Sequence, residues 1–170
     1  MRLSRDDPAE KGPMTEDEFL AIYRQEAALV FRFCAFRTGS AHDAEDLCAE
    51  TFARLLAKGN AVATDKRVAW LHTVARNLCS DWQRRRRWLP LDESIDPPAQ
   101  DPEPVWLDRP VRSAIGQLTA AQQQVLFLRA VEGLPFERIA LLVNTREPAT
   151  RMRYSRALAS LRRSLTEAQA

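Results

Sequence analysis

The sequence has few of the features that mark secreted, membrane-spanning or metal-binding proteins. Only three cysteines occur among 170 residues, and none forms a CxxC pair, so a disulfide framework is not expected. No apolar run approaches the roughly 18 residues that span a bilayer. Residues 1–13 are polar and lack the apolar segment of a secretory signal. We therefore expect a chain that stays in a reducing cytoplasm and does not insert into a membrane.

The chain also lacks a charge of one sign and lacks the common catalytic motifs. The 25 Lys and Arg against 23 Asp and Glu leave a net charge of +2, so nucleic-acid binding has to be argued from local charge. There is no Walker loop, no GxGxxG and no HExxH. His42 and His72 have no metal-ligand spacing with the cysteines. We predict no catalytic residue, no metal ligand and no cofactor.

Proline is abundant in one place. Six of the ten prolines lie between positions 90 and 110, together with six acidic residues and the single Arg109. Proline is excluded from helix interiors, and like charges extend a chain. We predict a disordered tail at 1–13, a domain at 14–88, a flexible acidic linker at 89–108 and a second domain at 109–170. One domain with a long ordered loop is the alternative, but such loops are uncommon.

Both halves of the chain carry the spacing of amphipathic helices. In the first half Thr15 is a predicted N-cap, Thr38-Gly39-Ser40 ends the first helix, and two further helices follow. The second half predicts four shorter helices, with Gly133 and Asn144 at turns and Pro148 at the start of the last. The predicted fold class is all-α: a three-helix domain followed by a helix-turn-helix domain.

Charge is divided sharply between these helices. The second helix is acidic, whereas the third ends in four consecutive arginines, 84–87, bracketed by Trp82 and Trp88. Cations neutralise phosphates and aromatic rings stack on exposed bases, which favours a nucleic-acid contact; a solvated helix end is the alternative. The final helix has an apolar stripe opposite an arginine-rich face, as a helix in the major groove requires.

These segments resemble bacterial sigma factors of the sigma-70 family, in the extracytoplasmic-function group. The region 2.2 helix of that family resembles AEDLCAETFARLL at 44–56, and regions 2.3–2.4 resemble AWLHTVARNLCSDWQRRRR at 69–87. Region 4 resembles QLTAAQQQVLFLRAVEGLPFERIALLVN at 117–144 and the helix that follows. The order of the segments, the acidic linker and the absence of a region 3 fit this group, and the resemblance covers about 15–165.

The resemblance implies roles for named residues. Region 2.2 would dock on the beta-prime clamp of core RNA polymerase through Asp43, Asp46, Leu47, Glu50 and Phe52. Regions 2.3–2.4 would melt and read the −10 element, with a base-capturing loop at 57–67 and with Arg76, Asn77, Arg84, Arg85, Arg86 and Arg87. Region 4 would hold the beta flap and read the −35 element with Arg146, Arg151, Arg153 and Arg156.

The resemblance also implies a cognate anti-sigma factor, a small helical protein that is often membrane-anchored and would recruit this bacterial cytoplasmic chain to the membrane. It implies no catalysis. Two other hypotheses are a helix-turn-helix regulator that acts without polymerase, and a decoy that binds an anti-sigma factor but starts no transcription. The chain departs from the family at Asn144, where glycine is usual, and at Pro148-Ala149-Thr150, where Gly-Thr-Val is usual. Both departures bear on −35 readout.

Overall fold

The computed structural model describes residues 12–88 and 109–167, which are helical and contain no strand. The predicted all-α fold class is thus confirmed. We call these two parts the N-terminal unit and the C-terminal unit. The predicted linker at 89–108 lies outside the described residues, as does all but the end of the predicted tail.

The N-terminal unit is the predicted three-helix domain. Its helices are α1 (Glu16–Thr38), α2 (Ala41–Lys58) and α3 (Arg67–Trp88), with two short 3-10 turns between α2 and α3. Thr15 Oγ1 accepts a hydrogen bond from the Glu18 amide at 3.2 Å, and Ser40 Oγ accepts one from the Asp43 amide at 3.2 Å. Gly39, with φ of 72°, ends α1 in the left-handed conformation. The predicted Thr15 cap and the predicted helix break are confirmed.

The C-terminal unit contains the predicted helix-turn-helix. Its helices are α4 (Arg109–Gly116), α5 (Ala120–Leu126, continued by a π-helical turn at Phe127–Val131), α6 (Phe136–Leu142) and α7 (Glu147–Glu167). Thr119 and Gln122 form a reciprocal capping box at the start of α5. Gly133 and Asn144 both have positive φ, 68° and 49°, at the two turns where the sequence predicts them. The last helix begins at Glu147, one residue before the predicted start.

The unusual start of α7 is accommodated by a local hydrogen bond. Thr150 is buried, and its hydroxyl donates to the Arg146 carbonyl at 3.1 Å. A buried hydroxyl is costly when it lacks a partner, but here the preceding helical turn supplies one. Proline is compatible with a first helical turn. Pro148-Ala149-Thr150 therefore opens a regular helix.

The two units share one apolar core, which the sequence did not predict. Buried side chains of both units belong to the same cluster: Val30, Phe33, Leu55 and Leu71 from the first, and Val125, Phe127, Leu128 and Ile139 from the second. The Phe127 ring centroid lies 5.5 Å from that of Phe33 and 5.2 Å from that of Phe36. Helix α3 also packs against α5 and α6. The C-terminal unit thus rests on α1 and α3 of the N-terminal unit.

Candidate polymerase and DNA interfaces

Helix α2 presents an acidic outer face. Asp46 and Glu50 are exposed, and Glu50 accepts a hydrogen bond from Arg54 Nε at 2.8 Å, one helical turn away. Asp43 is partly buried, and its carboxylate lies 3.9 Å from Arg86 Nη1. Leu47 is partly buried and packs against the shared core. Of the predicted polymerase-binding residues, Asp46 and Glu50 are therefore the two whose side chains this face exposes to a partner.

Phe52 differs from the predicted role. It is only 4% exposed, and its ring packs edge-on against Tyr23 at 4.9 Å and Phe19 at 6.3 Å. A side chain in this position supports α2 from beneath and offers no surface to a partner. The large apolar side chains exposed on or beside α2 are instead Leu56 and Tyr23. The exposure of Tyr23 could not be predicted from the sequence, because this residue has the same apolar spacing as the buried residues of α1.

The end of α3 presents exposed cations beside an aromatic ring. Arg84, Arg85 and Arg86 are exposed. Arg84 pairs with Asp81 at 2.8 Å, and the Arg86 guanidinium lies 4.9 Å from the centre of the Trp82 ring. The side chain of the predicted Arg87 lies outside the described residues. The arrangement suits a strand whose phosphates meet the cations and whose bases meet the ring.

Asn77 and Arg76 are neighbours in sequence but lie in different surroundings. Asn77 is exposed, whereas Arg76 is partly buried and its Nη1 donates to Gln124 Oε1 of α5 at 3.4 Å. Gln124 is 2% exposed and donates in turn to the His72 carbonyl at 3.2 Å. Burial lowers the pKa of Arg76, and the nearby charge of Arg153 lowers it further. The C-terminal unit thus covers part of a predicted −10 residue.

The loop between α2 and α3 is anchored by a basic residue that sequence reasoning left unassigned. The Arg67 side chain is 1% exposed. Its Nε donates to the Gly59 carbonyl at 3.1 Å, and its other nitrogens bond Glu18 and the Gly12 carbonyl. Arg67 therefore fixes the shape of the predicted base-capturing loop and is not available to a phosphate.

The predicted DNA-binding arginines on α7 and in the turn before it differ in their surroundings: some are exposed to solvent, and others are held by neighbouring side chains. Arg156 is exposed, as is Met152, which lies one turn before it on the same face. Arg146, in the turn before α7, is also exposed, whereas Arg153 is partly buried. Arginine can read guanine, and an apolar side chain can contact the thymine methyl group. Met152 and Arg156 therefore form the side of α7 best placed to enter a groove.

Arg151 is held by neighbours within the C-terminal unit. Its guanidinium lies 2.6 Å from the Glu147 carboxylate and 3.7 Å from that of Glu137. It also lies 4.6 Å from the centre of the Phe136 ring. An arginine with these three partners must give them up before it can contact a base. This distinguishes it from Arg156, although the resemblance assigns both the same role.

Two ion pairs join the units, and the carboxylate of one of them is buried. Glu26 of α1 is 1% exposed; its Oε2 lies 2.8 Å from Nε2 of the buried His72, and its Oε1 accepts from Arg138 Nη2 of α6 at 2.7 Å. Arg32 forms a two-pronged pair with Glu132 at 2.8 and 2.6 Å. Burial alone would raise the pKa of Glu26, but His72 and Arg138 outweigh it and the pKa is lowered.

A signal for Glu26 was present in the sequence. The residue lies four positions after Ile22 and four before Val30, on the stripe that α1 buries. A carboxylate on an apolar stripe needs a partner on the facing element. Its partners could not be named, because Arg138 is 112 positions away.

Among residues 12–88 and 109–167, no group of His, Cys, Asp and Glu could hold a metal ion. Within the same described parts of the chain, no helix is both long and apolar enough to cross a membrane.

Comparison with known proteins agrees with this architecture. Residues 22–89 match Sigma-70 region 2, and residues 108–161 match Sigma-70, region 4. The chain is 32% identical over 151 residues to ECF RNA polymerase sigma factor SigE of Mycolicibacterium smegmatis, covering 83% of this chain and 59% of that protein. It is 31% identical over 156 residues to ECF RNA polymerase sigma factor SigL of Mycobacterium tuberculosis, covering 86% of this chain and 88% of SigL.

A solved structure shares the fold. The sigma factor RpoE from Bartonella quintana, crystallised with the anti-sigma factor NepR, aligns with a TM-score of 0.57 at 23% identity, covering 88% of this chain and 98% of RpoE. The two matched regions define a sigma-70-type architecture. The chain belongs to the ECF RNA polymerase sigma factors of that family. It spans about three fifths of the length of SigE.

Proposed function

We propose that this protein binds core RNA polymerase and directs promoter-specific transcription initiation, without catalysis of its own. We call residues 12–88 the region 2 domain and 109–167 the region 4 domain. The observation that carries the proposal is the presence of both matched regions in one chain, in the order found in relatives named as ECF RNA polymerase sigma factors. A cytoplasmic location follows from this function, because core polymerase and promoter DNA are there.

The proposal divides the work between three surfaces. The acidic face of α2, with Asp46 and Glu50, binds the clamp of the polymerase beta-prime subunit, where carboxylates would meet a basic partner. The α3 surface, with Asn77 and the exposed arginines, holds the melted −10 element. Helix α7 reads the −35 element through Arg156 and Met152, and the region 4 domain also holds the beta flap.

Run-off transcription with core polymerase tests the proposal. Core enzyme plus this chain should yield a discrete transcript from a cognate promoter, selected from a genomic library, and core enzyme alone should not. Asp46→Arg with Glu50→Arg should weaken co-purification with core enzyme, most clearly at low salt. The matched control is Glu16→Arg with Asp17→Arg, which changes the net charge equally at two exposed positions of α1. Equal binding by the two variants would contradict the role of α2.

The two competing functions give different results in the same assay. A regulator that acts without polymerase would bind duplex promoter DNA alone and would not co-purify with core enzyme. A decoy would bind core enzyme or an anti-sigma factor but give no transcript. The structural relative crystallised with NepR supports an anti-sigma partner for this chain as part of the proposal. Such a partner would place the protein at the membrane if it were itself anchored there.

A further inference from the structure

We propose that residues 12–18, which lead into α1 and form its first turn, hold the base-capturing loop at 57–67 in the shape that selects a −10 base. We call residues 12–18 the entry segment. The inference rests on the proposed function and deepens it, because the shape of the loop affects promoter choice only if the loop binds DNA. It gives the entry segment a positioning role in promoter selectivity, with Arg67 as the link to the loop.

The base-capturing loop has little internal structure to fix its shape. It contains two short 3-10 turns. The Val62 amide donates to the Gly59 carbonyl at 3.0 Å, and the Lys66 amide donates to the Ala63 carbonyl at 2.8 Å. Hydrogen bonds in 3-10 turns have poorer geometry than those of α-helices. The shape of the loop therefore depends on contacts with neighbouring segments.

Arg67 connects the start of the loop to the entry segment. It is the first residue of α3, and its side chain is 1% exposed. Its Nε donates to the Gly59 carbonyl at 3.1 Å, and this is the same oxygen that accepts from the Val62 amide. Its two terminal nitrogens donate to Glu18 and to the Gly12 carbonyl. Because the planar guanidinium is shared among three acceptors, the entry segment sets the position from which Arg67 holds Gly59.

Met14 forms a second connection between the entry segment and the loop. Its amide donates to Asn60 Oδ1 at 2.7 Å, although the two residues are 46 positions apart. Its side chain lies against Gly59, where an added β-carbon would be 3.2 Å from Met14 Sδ. Met14 also packs against the apolar core. This connection therefore ties the loop to the core of the region 2 domain.

The connections lie behind the part of the loop that can face DNA. Ala61, Asp65 and Lys66 are exposed, whereas Gly59 and Arg67 are buried. Capturing a base requires unstacking it, and the contacts of the loop must offset that cost. A loop that became ordered only on binding would lose part of this gain to its own ordering. The entry segment therefore influences base selection without touching the base.

Hydrogen exchange, measured by NMR on the full chain without polymerase or DNA, tests the connection. Asn60→Ala removes the acceptor of the Met14 amide. It should speed exchange of the Val62 and Lys66 amides about fivefold, as expected for the loss of one hydrogen bond. Asn60→Asp keeps an acceptor oxygen and should stay within about twofold of the wild-type rates.

Glu18 supplies a second variant, because its side chain lies on α1 and outside the loop. Glu18→Ala removes the carboxylate that pairs with Arg67. It should speed exchange of the same two amides about tenfold, since hydrogen bonds between charged groups are the stronger ones. Asp17→Ala is the matched control: it changes the net charge equally at an exposed position of the same turn and should leave exchange unchanged. Thermal melting checks that every variant folds.

Run-off transcription with single-base changes in both promoter elements supplies the selectivity measurement. Asn60→Ala should weaken the −10 preference about threefold and leave the order of −35 preferences unchanged, whereas a general loss of stability would not separate the two elements. Asn60→Asp should restore the −10 preference. Both substitutions remove the side-chain NH₂ group, so this recovery cannot come from its direct contact with a base. The added carboxylate charge acts on phosphates and weakens binding to all sequences alike.

Two outcomes would overturn the inference. Faster exchange with an unchanged −10 preference would remove the role in base selection. Unchanged exchange in both Asn60→Ala and Glu18→Ala would show that the entry segment does not hold the loop. A wild-type chain that gives no transcript would instead count against the proposed function, and the exchange rates would still decide whether the entry segment holds the loop.

Discussion

The outer and inner faces of the region 2 domain use charge in opposite ways. On the outer face, the pairs Glu50–Arg54 and Asp81–Arg84 join residues one helical turn apart and are exposed to water. On the inner face, Glu26 is buried and pairs with Arg138, more than one hundred positions away. Exposed local pairs contribute little to stability, whereas a buried charge is costly unless it keeps its partner. The outer charges are therefore free to serve binding, and the inner ones fix how the two domains meet.

The largest effect should come from removing the buried carboxylate. Glu26→Ala leaves His72 and Arg138 without their shared acceptor and should lower the free energy of unfolding by about 3 kcal/mol. This is the low end of the range for a broken buried pair, since Arg138 is 44% exposed and can turn to solvent. Glu50→Ala is the matched control on the outer face and should change stability by less than about 0.5 kcal/mol. Chemical denaturation of both variants measures the difference. Equal losses of unfolding free energy would contradict the contrast between the inner and outer faces.

Lowering the pH should remove the contribution of Glu26 to the free energy of unfolding without any mutation. The pKa of Glu26 is lowered from its usual 4.5, so the folded state binds its proton less readily than the unfolded state does. Its stabilising contribution is present in full above about pH 4.5 and declines as the pH falls through the lower, folded value. The gap in unfolding free energy between the wild type and Glu26→Gln should therefore narrow from pH 6 to pH 3. If this difference in unfolding free energy stays constant with pH, the charge of the Glu26 carboxylate contributes nothing to stability.

What the sequence could predict also depends on whether the contacts are local or far apart in the chain. Caps and turns depend on residues a few positions apart, so Thr15, Gly39 and Asn144 were identified correctly from local patterns. The amphipathic spacing likewise predicted the seven main helices within the described residues. The packing of region 4 on region 2 depends on contacts such as Phe33 with Phe127, which no local pattern encodes. Spacing places Phe52 on the apolar face of α2, and only the family resemblance gives it a surface role; its ring partners Tyr23 and Phe19 could not be identified from local spacing.

A smaller effect is expected at the DNA-facing side of α7. Arg156 is exposed, and a two-pronged arginine–guanine contact is worth about 1–3 kcal/mol of discrimination. Arg156→Ala should therefore relax −35 selectivity by about tenfold in a panel of single-base promoter substitutions. Leu158→Ala, on the partly buried side of α7, is the contrasting variant: it should lower the melting temperature and leave the order of base preferences unchanged. Loss of selectivity in both variants would show that the panel reports folding and not readout.

The smallest effect on base selectivity is expected at Arg151, although the family resemblance gives it the same role as Arg156. Its guanidinium is shared between Glu147, Glu137 and the Phe136 ring, so in the structure it braces α7 against α6. Arg151→Ala should change the −35 panel by less than about twofold and lower the free energy of unfolding by up to about 1 kcal/mol, as expected for partly exposed ion pairs. Arg151→Lys keeps the charge but loses the planar group that stacks on Phe136, and should recover only part of that stability. Selectivity lost in Arg151→Ala and kept in Arg156→Ala would reverse the assignment. In that case Arg151 would leave its two carboxylates on binding DNA. Helix α7 would then contact the groove through a different face from the one that carries Met152 and Arg156.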